Sequence, residues 1–447
     1  MLHFRQMTLI PVLLLLPSVA IGQSLQVLDI SQASKAEVRS LTQTGGGWWL
    51  EMGKQMVLWE AEAGRALSMP VLASYAAVDP AELLLRARGC SDHAAEAGEL
   101  LARGGRWELR RVPLDQQQAL RLLDTHAWQP VPRNAQIARQ YRLDRPQVGF
   151  AADPAVQAVV DRVDSVRWFG DLSTLADWDR SSYGTTELAA ARDWIAAQFS
   201  GLGLTVQLQP FSMNAPGGGT ISRDNVIGSW VGSSEPDRWL IVGAHYDSRN
   251  ASSSSTTNTP GAEDNASGCA GVVELARALL PSAPRRSLMF ICYAGEEQGL
   301  IGSQAHVQSL IPGGQLSTID AVVIMDMIGY SADANLEALY ESNASNLGYL
   351  MQFGAAAATY VPALSVVTST NPFGSDHVPY LNAGVQTVLA IENDWDIYPH
   401  YHRSSDLPTN MGPNALAMGS AILKTNAAVI AEIAGVELPA LFADGFE

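Results

Sequence analysis

Lysine is nearly missing from this chain. Lys35, Lys54 and Lys424 are the only three among 28 basic residues, set against 45 acidic ones. The formal charge of −17 argues against nucleic acid as a partner, which needs basic patches, and against docking on anionic lipid. Acid in this excess favours solubility and attracts cationic substrates only weakly. Charge of either sign is thin, at 16% of residues where ~25% is usual. Cysteine is also scarce. Cys90, Cys269 and Cys292 cannot build a disulfide framework, and with no CxxC pair there is no zinc ribbon. Cys292, inside the run LMFICYAG, and Cys269 read as small buried apolar residues, with a bridge between them left open. Beyond the N-terminus, no segment reads as long and apolar enough to cross a bilayer.

The first 22 residues read as a signal peptide. Arg5 supplies the positive start, Leu9 to Ala20 the apolar stretch, and Ala20-Ile21-Gly22 the small-x-small cleavage site. The chain is therefore expected to be secreted, extracellular or periplasmic. Residues 23–150 form a smaller α+β unit, a pro-segment or an accessory domain. Strand-like runs fall at Gln55–Glu60, Pro70–Tyr75 and Arg106–Val112, and helical periodicity at Pro80–Arg88 and Asp115–Leu123. Trp128–Arg133 and the polar run to Gln147 read as a connector. Residues 437–447 form a short tail.

Residues 151–436 alternate helices with apolar strands. Helices are expected at Thr185–Leu202, Ser267–Leu280, Leu300–Leu310, Leu347–Tyr360 and Ala415–Ala434. Strands are expected at Thr205–Phe211, Arg223–Gly228, Trp239–Ala244, Arg286–Tyr293, Ile319–Met325 and Val385–Ile391. The pattern predicts an α/β fold with a mostly parallel twisted sheet covered by helices on both faces.

Five residues able to bind a metal ion punctuate this region. His245 (GAHYDS), Glu297 (AGEEQG) and Asp326 (VVIMDMIG) each follow an apolar strand. Asp264 (EDNASG) precedes a helix, and His402 (HYHRSSD) lies after the last strand. In an open α/β sheet such positions converge beyond the carboxyl ends of the strands. Singly, each has a plain reading: a satisfied histidine, a solvated helix start, an N-cap turn. Together they suit a two-metal hydrolase, because imidazole and carboxylate suit zinc and, with fewer nitrogens, manganese or cobalt, and one carboxylate can serve two ions. Glu296, beside Glu297, is placed to take a proton from a nucleophilic water held by the metals and pass it to the leaving amine. Asp247 can accept the second ring N–H of His245 and fix its tautomer.

The motifs GAHYDS, DNASG, GEEQGLIGS, MDMIG, GSDHVPYL and YHRSSD resemble the M28 family of secreted co-catalytic zinc aminopeptidases. The resemblance implies a zinc-peptidase, phosphorylase/hydrolase-like fold and two Zn²⁺ per chain. Asp264 would bridge the ions, with a cis peptide bond near it as is frequent in the family. His245 and Asp326 would complete one metal site, Glu297 and His402 the other. Glu296 would be general base and then acid, and Tyr401 matches a position where some members stabilise the oxyanion. Asp376 and His377 match a signature near the substrate pocket. Arg403 departs from the usual threonine. Substrates would be peptides with a free N-terminus, acted on by a monomer. Rival readings are a glutaminyl-cyclase-like zinc acyltransferase, a carboxypeptidase-type member and a non-catalytic binding ectodomain. The last would have lost ligands, and none is lost here.

Overall fold

The computed structural model describes residues 24–43, 47–60, 69–87, 97–104, 107–123, 128–138, 150–250, 254–370 and 374–437. The signal peptide, Cys90, the polar run from 139 to 147 and nearly all of the tail lie outside them.

The N-terminal unit contains β1 (Ser24–Asp29), α1 (Lys35–Leu41), β2 (Trp48–Met52), β3 (Gln55–Glu60), β4 (Val71–Ala76), β5 (Leu83–Ala87), β6 (Glu99–Gly104), β7 (Trp107–Arg111), α2 (Leu114–Leu123), β8 (Trp128–Pro130) and β9 (Ala135–Ala138). They form a five-stranded sheet, β4-β1-β3-β2-β9, and a four-stranded one, β6-β7-β5-β8. Two expectations fail here. Pro80–Arg88 is not a helix: a short 3₁₀ turn at Pro80–Glu82 leads into β5. Strand pairing overrides the local helical pattern, because β5 lies between β7 and β8. There it buries Leu83, Leu84 and Leu85. Nor is 128–138 a plain connector, since β8 and β9 each complete a sheet. A buried ion cluster crosses the second sheet. Glu108 accepts from Arg110 Nε at 2.7 Å, Arg103 Nη2 at 2.8 Å and Arg86 Nη1 at 3.2 Å.

The larger unit runs α3 (Pro154–Val160), α4 (Ser165–Ala176), α5 (Thr186–Gly201), β10 (Thr205–Asn214), β11 (Thr220–Trp230), β12 (Glu235–His245), α6 (Ser267–Leu279), β13 (Arg286–Tyr293), α7 (Ile301–Leu310), β14 (Ile319–Met325), β15 (Glu337–Glu341), α8 (Leu347–Tyr360), β16 (Ser365–Ser369), α9 (His377–Asn382), β17 (Thr387–Glu392) and α10 (Ala415–Ala434). Its eight strands take the order β10-β11-β13-β12-β14-β17-β15-β16. The centre, β13-β12-β14-β17, is parallel. β10 and β11 join it antiparallel, and β17 pairs antiparallel with β15, so the sheet is mixed around a parallel core.

Period-two alternation explains how both faces are covered. Leu240, Val242 and Ala244 of β12 face the larger core, beneath α3–α6, α8 and α10. Ile241 faces the second core with Ile291 and Ile324, where α7 and α9 pack. Gly243 also points that way. A Cβ there would lie 2.7 Å from the Tyr293 ring, so a bare backbone is required. Contrary to expectation, among the described residues one helix is long and apolar enough for a membrane span, namely α10. Two-thirds of its apolar window (67%) is buried inside the fold, which makes it a packing helix. The two units touch where Lys54 donates to the Asn393 carbonyl at 3.3 Å and faces Asp394 at 3.6 Å.

Candidate metal centre

β12 ends at His245, β14 ends one residue before Asp326, and the turn after β13 carries Glu296 and Glu297. Asp264 lies in the turn before α6, and its peptide bond to Asn265 is cis. His402 is on the loop after β17. All five expected ligands converge at the carboxyl edge of the parallel core.

The distances sort them into two sets. His245 Nε2 stands 3.4 Å from Asp264 Oδ1 and 3.5 Å from Asp326 Oδ1. His402 Nε2 stands 2.9 Å from Asp264 Oδ2 and 3.3 Å from Glu297 Oε2. Around a tetrahedral ion with bonds of ~2.05 Å, neighbouring donors are about 3.3 Å apart. Each histidine therefore shares an ion-sized gap with two carboxylates, and Asp264 gives one oxygen to each gap. Glu296 belongs to neither pairing, but one of its oxygens lies within 4.8 Å of donor atoms of His245 and Asp326. It is fully buried.

Neighbouring backbone holds the donors in place. His245 Nδ1 meets the main-chain oxygen of Asp247 at 3.0 Å, whereas the Asp247 carboxylate is 3.6 Å away. The ring is oriented by the Asp247 backbone rather than by its side chain as expected. That leaves Nε2 to face the acids. The Asp247 carboxylate instead accepts from Ser182 Oγ at 2.9 Å and from the Glu296 amide at 3.3 Å, fixing the turn that bears the expected base. Asn265 bonds Met325 O, Met327 N and Gly268 N, joining the Asp264 turn to the Asp326 turn. Gly261 opens the Asp264 turn at φ 48°, where a Cβ would lie 2.3 Å from the Asp264 oxygen.

Three groups behind the site escaped sequence reasoning. Asp406 accepts the amides of Glu263 and Asp264, each at 3.0 Å, and the Tyr398 hydroxyl at 2.7 Å. Glu263 accepts the amides of Gly329 and Tyr330 at 2.8 and 3.0 Å. Arg180, fully buried, donates to the carbonyls of Tyr246 (2.8 Å), Pro260 (2.7 Å), Gly261 (2.7 Å) and Leu175. It thus ties the His245 strand end to the Asp264 turn. Asp406 stood in a quoted motif and Glu263 beside a ligand, which was signal enough to find them. Arg180, in DWDRSSYG, reads as solvated loop.

The electrostatics point the same way. Burial works against the His245 proton, yet Glu296, Asp247, Asp264 and Asp326 outweigh it and raise its pKa well above the usual value. Burial, the Asp264 charge and Glu296 drive Glu297 upward, with Arg249 opposing. Burial also lifts Asp376 to about 7, within the field of His245, Asp247 and Asp326. Asp376 and His377 are thus placed in the buried shell next to the site. Negative charge is in excess here, and a pair of divalent cations would stabilise it. Tyr401 stacks on the His402 ring, centroids 3.9 Å apart and planes 21° from parallel, while Trp395 meets Tyr401 edge-on at 6.2 Å. Arg403 is exposed.

Residues 225–426 match the model of "Peptidase family M28". The chain is 31% identical over 299 residues to a protein of Leptosphaeria maculans described as "Probable zinc metalloprotease", covering 58% of this chain and 66% of that one. It is 29% identical over 226 residues to "Leupeptin-inactivating enzyme 1" of Streptomyces exfoliatus, covering 48% and 45%. The chain spans about a third to two thirds of the length of the curated relatives it matches. Among solved structures, the LapA aminopeptidase of Legionella pneumophila aligns with a TM-score of 0.54 at 21% identity, covering 80% of this chain and 99% of that one. A Bacteroides thetaiotaomicron glutaminyl cyclase aligns at 0.50 and 20%, covering 60% and 97%. Likeness at these identities is likeness of fold alone.

Proposed function

Because residues 225–426 form a domain of peptidase family M28, we propose that the chain is an exported, monomeric di-zinc aminopeptidase. One observation carries this reading: Asp264 offers its two oxygens to two histidines, with Asp326 and Glu297 each closing a three-donor set. When bound, the zinc ions supply Lewis acidity toward the scissile carbonyl and toward the attacking water.

The chain's own residues do the rest. Glu296, its amide fixed by Asp247, accepts a proton from the water as oxygen bonds to the carbonyl carbon. It returns that proton to the leaving nitrogen as the C–N bond breaks, so hydrolysis consumes one water. Tyr401 would donate its hydroxyl to the developing oxyanion, its ring held against His402. Excess acid around the site suits the cationic α-amine of a peptide. Residues 23–150 would act as an inhibitory pro-segment. That reading is supported by their contact with Asn393 and Asp394, on the loop that continues through Trp395 to Tyr401 and His402.

The deciding assay is release of p-nitroaniline from leucine p-nitroanilide, with chelator and with zinc restored. Activity lost with chelator and regained with zinc is expected, greater after cleavage near residue 150. No turnover in either form, alongside cyclisation of N-terminal glutaminyl peptides or C-terminal trimming, would replace the aminopeptidase reading.

A further inference from the structure

Cys269 lies in the first turn of α6 and Cys292 near the end of β13, on which α6 packs. Both side chains are fully buried, and their sulfurs are 2.6 Å apart. Neither residue is a metal donor. Each stands a few residues from one: Cys269 follows Asp264 by five positions, and Cys292 precedes Glu296 by four. Cys292 also pairs across the sheet with Ala244, the neighbour of His245. The two thiols therefore sit where three donor-bearing segments meet.

We propose that Cys269 and Cys292 form a disulfide, made during folding, that braces the Asp264 and Glu296–Glu297 turns against each other. The balance is simple. Two thiols lose two protons and two electrons as the S–S bond forms, and the disulfide of a thiol–disulfide oxidase takes them up and becomes a dithiol. Timing follows from burial. Burial pushes the Cys292 thiol well above its ordinary pKa. Exchange needs a thiolate and access, so the bond forms before α6 closes over β13 and then resists reductant in the native state. The inference stands apart from the peptidase reading, since it requires only an oxidising compartment.

The test is thiol mapping on the full chain, directed to a bacterial periplasm behind an export leader. The protein is acid-quenched, denatured and alkylated without reductant, then digested for mass spectrometry. A cross-linked Cys269–Cys292 peptide with Cys90 alkylated is expected. Two alkylated thiols at 269 and 292, or either joined to Cys90, would overturn the proposal. A second measurement addresses the bracing. Reductant should act only after denaturant opens the fold. The refolded, reduced protein and the Cys269→Ala/Cys292→Ala variant should both melt about 5–10 °C lower than the oxidised form. Reduction in native buffer within minutes, or a melting shift under about 2 °C, would refute the bracing role.

Discussion

Replacing Arg180 by methionine strips the donor from four buried carbonyls while preserving much of the side-chain volume. Hydrogen bonds from a charged donor are worth about 1.5–3 kcal/mol each, and they do not add. Some loss is given back, because the guanidinium is itself costly to bury; burial has dropped its pKa to about 10 despite the facing charges of Asp406, Asp247 and Asp264. Removing one member of a buried charged network usually costs about 3–5 kcal/mol. At ~2–4 °C per kcal/mol in a domain of this size, melting should fall by roughly 6–20 °C. The assay is thermal melting in chelator, so that bound metal does not mask the difference, followed by zinc titration. Zinc uptake should weaken as well, since Arg180 orders the Asp264 turn before any ion arrives. Arg180→Lys should rescue little, because one ammonium cannot span the Tyr246 and Gly261 oxygens. Melting within 2 °C of the parent, with unchanged zinc affinity, would show that the network is incidental.

Three further outcomes are expected. Glu296→Gln should lower kcat by about 10²–10⁴ with zinc content unchanged by metal analysis; near-normal turnover would remove Glu296 from proton transfer. Lys54→Glu, opposite Asp394 and Glu337, should loosen the cleaved N-terminal unit from the larger domain by up to about tenfold. Gel filtration after cleavage reads this, and equal retention would count against the pro-segment contact. Burial raises the Glu108 carboxyl, but Arg110, Arg103 and Arg86 outweigh it and hold its pKa below 4.5. The folded value thus lies below the unfolded one. The stabilisation is complete above about pH 4.5 and fades as pH falls through the folded value. Glu108→Gln should flatten that acid dependence in a melting series from pH 6 to 3, and an unchanged slope would exclude the cluster.

The donors were legible in sequence because the strands that deliver them are buried on both faces and read as continuous apolar runs. Leu347–Tyr360 and Ala415–Ala434 begin and end where the sequence puts them. Several short strands were not legible. EALYE at β15 carries no run, and its Ala338 and Tyr340 serve one core while Leu339 serves the other. β5 becomes a strand only through its two neighbours. The same limit hid Arg180: its loop is polar, and only the packed fold shows that its partners are backbone oxygens. Asp247 was found, but a pattern of residue types cannot distinguish its carbonyl from its carboxylate.

Among the described residues, β17 is the last strand in chain order, yet it occupies an interior place between β14 and β15. While the ribosome is still extending the chain, that slot stands open and His402 has not yet been made. A nascent chain can present His245, Asp264, Glu297 and Asp326, but only one of the two histidine-centred gaps. The complete donor set first exists when the C-terminal part of the domain has emerged and slotted into the sheet.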